Sequence, residues 1–104
     1  MTMEFASLPS DNGGSLSFQK TNYSTWLTLE MPSMGSHSTV VLIQDYVIEM
    51  FKHKILNKIS CTFSVKDSLF EILFLGESVH FSTVPSSEAI FDVSELQQFL
   101  QTHS

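Results

Sequence analysis

Arginine is absent from this chain, cysteine and tryptophan occur once each, and proline occurs only three times. The lack of arginine removes the planar fork that grips phosphate, carboxylate and guanine in pairs of hydrogen bonds. Nucleic acid and anionic substrates are therefore poor partners for it, because phosphate binding leans on clustered positive charge. A single thiol, Cys61, excludes an intrachain disulfide and fits a reducing compartment, with a small core side chain as its expected role. No apolar stretch is long enough to cross a bilayer, and the first fourteen residues hold Glu4 and no secretory apolar run, so no membrane association and a cytoplasmic location are expected.

Catalytic signatures are missing as well. No H-x-x-x-H, C-x-x-C or H-E-x-x-H spacing gathers metal ligands, and no G-x-G-x-x-G, Walker-type loop or G-x-S-x-G is present. Asp11-Asn12-Gly13-Gly14 reads as a turn and nothing more. Neither a metal, a cofactor nor an enzymatic activity is expected. His53 follows Glu49 by four residues, an ordinary helix-surface spacing, and His80 falls opposite Leu73 if Gly76-Glu77 is a hairpin turn.

What remains is an ordinary globular mixture, 42% hydrophobic and 15% charged over 104 residues, enough for one domain with one core. Eleven acids against five lysines leave a formal charge of −6. A basic partner is the electrostatic expectation.

The longest amphipathic segment is Ser38 to Ser60, where Ile43, Val47, Phe51, Ile55 and Ile59 recur every four residues. Its acids come early and its lysines late, as a helix dipole prefers, and Ser38 is placed to cap it. This predicts a helix of about 20 residues, spanning roughly 30 Å, packed across a sheet. The run Thr39-Val40-Val41-Leu42-Ile43 leaves a second reading, a strand leading into a shorter helix from Gln44 or Asp45.

Residues 1–14 read as a flexible lead-in and 15–104 as a single domain. Strand patterns cover Leu16 to Gln19 and Tyr23 to Met31, with Pro32 to His37, including Gly35, as the loop that follows. After the amphipathic segment come Cys61 to Lys66, a turn at Asp67-Ser68, Leu69 to Leu75, the Gly76-Glu77 turn and Val79 to Val84, closed by Pro85. Leu69 to Leu75 is apolar on both faces apart from Glu71, as in a strand covered on both sides or one whose second face meets a partner. Ala89-Ile90-Phe91 leads into a helix with Asp92 as N-cap, Glu95 completing a box-like arrangement, and Phe91 and Leu96 as a hydrophobic staple. The expected fold is α+β, a mostly antiparallel sheet of about five strands with one long central helix and a C-terminal helix, in the order β-β-α-β-β-β-α. No internal repeat is visible in the residues.

Trp26 stands on the polar face of its strand and is a candidate interface anchor, since tryptophan is enriched at binding hot spots. Glu71 is an acid in an otherwise apolar strand, costly without water or a partner. With Glu30, Asp67 and Glu77 it is a candidate acidic binding surface. In size, acidity, expected α+β fold, lack of catalytic motifs and carboxylates beside exposed aromatics, the whole chain resembles the immunity proteins of bacterial polymorphic toxins, particularly those of contact-dependent growth inhibition. No single motif carries the resemblance, so no residue role is taken from it. It implies neutralisation of a cognate toxin, often a basic nuclease, by occlusion of its active site; separately, the residues leave the oligomeric state open, with a slight preference for a monomer. Type III secretion chaperones and phage-encoded inhibitors such as anti-CRISPR proteins share the same style.

Overall fold

A computed structural model describes residues 3–33, 37–66, 68–83 and 87–103. Asp67, Gly35 and Pro85 lie outside the described residues, so the turn, loop and strand end read there are not described. Among the described residues the chain forms eight strands and two helices. The first half holds β1 (Glu4–Pro9), β2 (Ser15–Lys20), β3 (Thr25–Pro32), β4 (Ser38–Gln44) and α1 (Tyr46–Leu56). In the second half come β5 (Cys61–Val65), β6 (Ser68–Leu75), β7 (Ser78–Thr83), β8 (Ser87–Asp92) and α2 (Val93–Thr102). Two antiparallel four-stranded meanders result, β1-β2-β3-β4 (sheet A) and β5-β6-β7-β8 (sheet B). The chain thus repeats one unit, four strands and a helix, without any repeat in its residues.

This corrects the expectation of one sheet of about five strands crossed by a long helix. The segment Ser38 to Gln44 is a strand, with Val41 and Ile43 buried and Val40 and Leu42 exposed. A four-residue interval is even, so it satisfies the two-residue period of a strand as well as the 3.6-residue period of a helix. The β-branched residues decide the matter locally, because valine and isoleucine lose least in a pleated, half-buried surface. The other unexpected strands are β1, within the stretch read as a lead-in, and β8, where Ser87, Ala89 and Phe91 alternate inward.

Asp45 ends β4 and begins the helical turn at φ 51 and ψ −123, a conformation that L residues rarely adopt. Its side chain caps nothing. Its N–H donates to the Thr25 carbonyl at 3.0 Å, tying the helix start to β3. At the other end, Lys58 takes φ 53 while Ile59 N–H reaches the Lys54 carbonyl at 2.9 Å and Lys58 N–H reaches that of Ile55 at 3.3 Å. That pair of bonds is the Schellman ending, here with lysine where glycine is usual. Gln97 Nε2 donates to the Ile55 and Leu56 carbonyls at 3.1 and 3.4 Å, so α2 also closes α1. The second helix starts as its sequence predicts, with the Asp92 carboxylate accepting the Glu95 N–H at 3.1 Å.

Each helix region places a ring on the other unit's sheet. From α1, Phe51 meets Phe63, Phe70 and Phe81 on β5, β6 and β7, with ring centroids 5.8, 6.3 and 5.6 Å away. From the region of α2, Phe99 packs at a tilt against His103, and His103 packs at a tilt against Phe18 of β2. Leu8 of β1 lies against the same stretch. All of this forms one apolar cluster drawn from both units. A buried phenylalanine contributes about 1.5–3 kcal/mol, and well-placed ring pairs somewhat more, so Phe51 anchors α1 together with the buried Ile48 and Ile55.

The sheets meet at one corner, where Ser33 bridges Ser87 and the Thr39 and Ser87 hydroxyls bond each other. Gly14 is buried there in a place where a Cβ would stand 2.2 Å from the Glu30 carbonyl oxygen. Among the described residues no helix is long and apolar enough to cross a membrane.

Candidate protein interface

Sheet B has its inner face in the core, through Phe63, Phe70, Ile72, Val79, Phe81, Ala89 and Phe91. The period of two therefore fixes what faces outward. Cross-strand pairing arranges those outward residues in rows: Thr62, Glu71, Ser82 and Glu88; then Leu73, His80 and Ile90; then Leu75, Ser78 and Asp92. Leu69 lies beside Ser64 at the near end.

Three of these side chains, Leu69, Leu73 and Leu75, are 60, 38 and 51% exposed, an apolar stripe along the outside of β6. Carboxylates border it. Glu71 stands within the stripe, Glu77 occupies the β6–β7 turn after Gly76, and Glu88 lies two strands away. None of the outward strand residues of sheet B is a lysine. His80 does face Leu73, as the hairpin turn predicts, but its carboxylate partner is Glu88, with Nδ1 to Oε2 at 3.2 Å. The residues Thr62, Leu69, Phe70, Glu71, Ser82 and Thr83 outline a depression of about 310 Å³ on this face.

Of the residues proposed from the sequence, Glu71 and Glu77 both belong to sheet B, Glu71 midway along the outer face of β6 and Glu77 in the β6–β7 turn at its far end. Trp26 and Glu30 are on the outer face of sheet A, four residues apart on β3 and hence separated by roughly 13 Å. The Trp26 ring is partly covered, its Nε1–H donating to Gln19 Oε1 at 2.6 Å. Asp67 lies outside the described residues. Sequence reading missed His80, Glu88 and the leucines as parts of one surface, although the two-sided apolarity of Leu69 to Leu75 was the signal for it.

A second exposed patch surrounds the start of α1, where Tyr46 and Met50 are 78 and 53% exposed beside a cleft of about 490 Å³. Lys66 lines that cleft, and Lys52, Lys54 and Lys58 follow along the helix and its end. Mixed charge suits a basic protein less well than the lysine-free face of sheet B. The chain matches no protein-family model, no curated protein and no solved structure, and the face is read from its own residues.

Proposed function

We propose that this chain is a binding protein rather than an enzyme, an immunity protein that neutralises a basic bacterial toxin in the cytoplasm by laying the outer face of sheet B over the toxin's active site. One observation carries the reading: exposed leucines and unbalanced carboxylates share a sheet face without lysine. Apolar side chains supply the dry centre of an interface, and the carboxylates supply its charged border. A net charge of −6 with no arginine supports attraction of a positive partner over distance, which raises the rate of encounter.

The test is co-expression with a toxin domain encoded beside this chain's gene, followed by purification of the pair. Wild-type protein is expected to restore growth and to co-purify. Reversal of Glu71, Glu77 and Glu88 to lysine is expected to abolish both. Growth inhibition that persists with wild-type protein, or a pair that never forms, rules the reading out.

A further inference from the structure

We infer that the depression between β5, β6 and β7 is a receptor for one guanidinium group, through which a partner's arginine side chain anchors on sheet B. The inference deepens the proposed function and rests on it for the source of the arginine. Its chemistry can be examined without any partner.

Glu71 lies in register between Thr62 and Ser82, and antiparallel neighbours stand about 4.5–5.5 Å apart. One carboxylate thus has a hydroxyl on each side, three acceptor groups in one row across the strands. Glu88 extends the row but is engaged by His80, whereas Glu71 has no ion pair among the described residues. Leu69 stands two positions along the same face and is 60% exposed, an apolar wall for the methylenes of a long side chain whose head is charged. At about 310 Å³ the space is at the low end for ligand pockets, suited to one side chain rather than a cofactor. A strongly hydrated ammonium offers three donors from one point, while a guanidinium offers a flat, weakly hydrated fork that meets carboxylate and hydroxyls together. The chain has no arginine with which to fill the site itself.

The experiment follows backbone amide resonances of the full chain during titration with acetyl-arginine-amide, and with its citrulline and lysine counterparts. Citrulline keeps the shape and loses the charge. Saturable shifts at Thr62, Leu69, Glu71 and Ser82 are expected, with binding roughly tenfold weaker for citrulline, the scale of a charge-assisted hydrogen bond. Glu71→Gln should bring arginine down to the citrulline level, while Glu4→Gln, on β1 of sheet A, leaves it unchanged. Shifts spread evenly over Glu30, Glu49 and Glu95, or an unaffected Glu71→Gln variant, would overturn the receptor. A lysine derivative that binds as tightly would overturn the guanidinium assignment. Because no toxin is in the tube, a negative titration leaves the toxin-binding reading standing, and failure to form a toxin complex leaves a positive titration standing.

Discussion

The side chain of Asn12 takes the place of a strand beside Ile90. Its Oδ1 accepts the Ile90 N–H at 3.1 Å and its Nδ2 donates to the Glu88 carbonyl at 2.7 Å, while Asp11 N–H donates to the Ile90 carbonyl at 2.7 Å. A primary amide has the same donor and acceptor as a peptide group, so it can pair with a sheet edge. The turn between β1 and β2 thereby covers the open side of β8, where unpaired backbone groups would invite another chain.

Asn12→Ala removes these two side-chain bonds and a third, from Ser10 Oγ to Oδ1 at 2.8 Å, and should cost about 1.5–4.5 kcal/mol, given ~0.5–1.5 kcal/mol for each. It should also reopen β8, so that association grows with concentration. Chemical denaturation and sedimentation together check this. A variant as stable and as monodisperse as the parent would show that Asn12 covers nothing.

The two aspartates that precede the helices should respond with opposite signs. Asp92→Ala loses the bond to Glu95 N–H and should cost ~1 kcal/mol. Asp45 makes no such bond and sits at φ 51, so Asp45→Gly should stabilise by about 1 kcal/mol, strain relief exceeding the added chain entropy. Midpoints of urea unfolding read both changes. Destabilisation by Asp45→Gly would mean that its carboxylate contributes more than the backbone strain.

Gly14→Ala should be among the most damaging single-methyl additions in the chain, about 2–3 kcal/mol or more. Its new carbon would lie 2.2 Å from the Glu30 oxygen and 2.8 Å from Pro32 Cδ, and a carbonyl in a paired strand has little room to retreat. Thermal unfolding within a degree of the parent would show that β3 yields easily.

For the interface, Leu73→Ala should weaken toxin binding by ~2 kcal/mol or more, while stability moves by no more than ~0.5 kcal/mol. Association should also slow as salt rises, from a steered rate of ~10⁸ toward ~10⁶ M⁻¹s⁻¹. Trp26→Ala discriminates the faces. Binding lost there and kept in Leu73→Ala would move the interface to sheet A.

Local chemistry was readable from single residues: the Asp92 cap, the Gly76-Glu77 turn and the pairing of His80 with Leu73. The strand at Thr39 to Ile43, followed by a shorter helix, was legible only as the second reading, because apolar residues occupy both of its faces and a four-residue rhythm continues into α1. Tyr23 was read as the start of a strand face, yet β3 begins at Thr25 and Tyr23 is fully outside it. Glu88 could not be matched to His80 without knowing that β8 exists. Nothing local tells that Asn12 will reach residues more than seventy positions away; that contact depends on how the two units meet. Of the candidate site, Glu71 announced itself by its apolar surroundings, while the rows that flank it required the register.

The crossing of helices between sheets has a consequence for how the chain acquires its structure. Each half lends a ring to the other's sheet, Phe51 of α1 packing on Phe63, Phe70 and Phe81 beyond the connection at residues 57–60, and His103 after α2 packing on Phe18. Separated at that connection, each fragment would leave its aromatic lining in water, and each alone should remain unfolded. Mixed together, they should restore one another, because the core is one cluster drawn from both pieces. The intact chain should accordingly melt in a single transition, its two halves being one cooperative unit by construction.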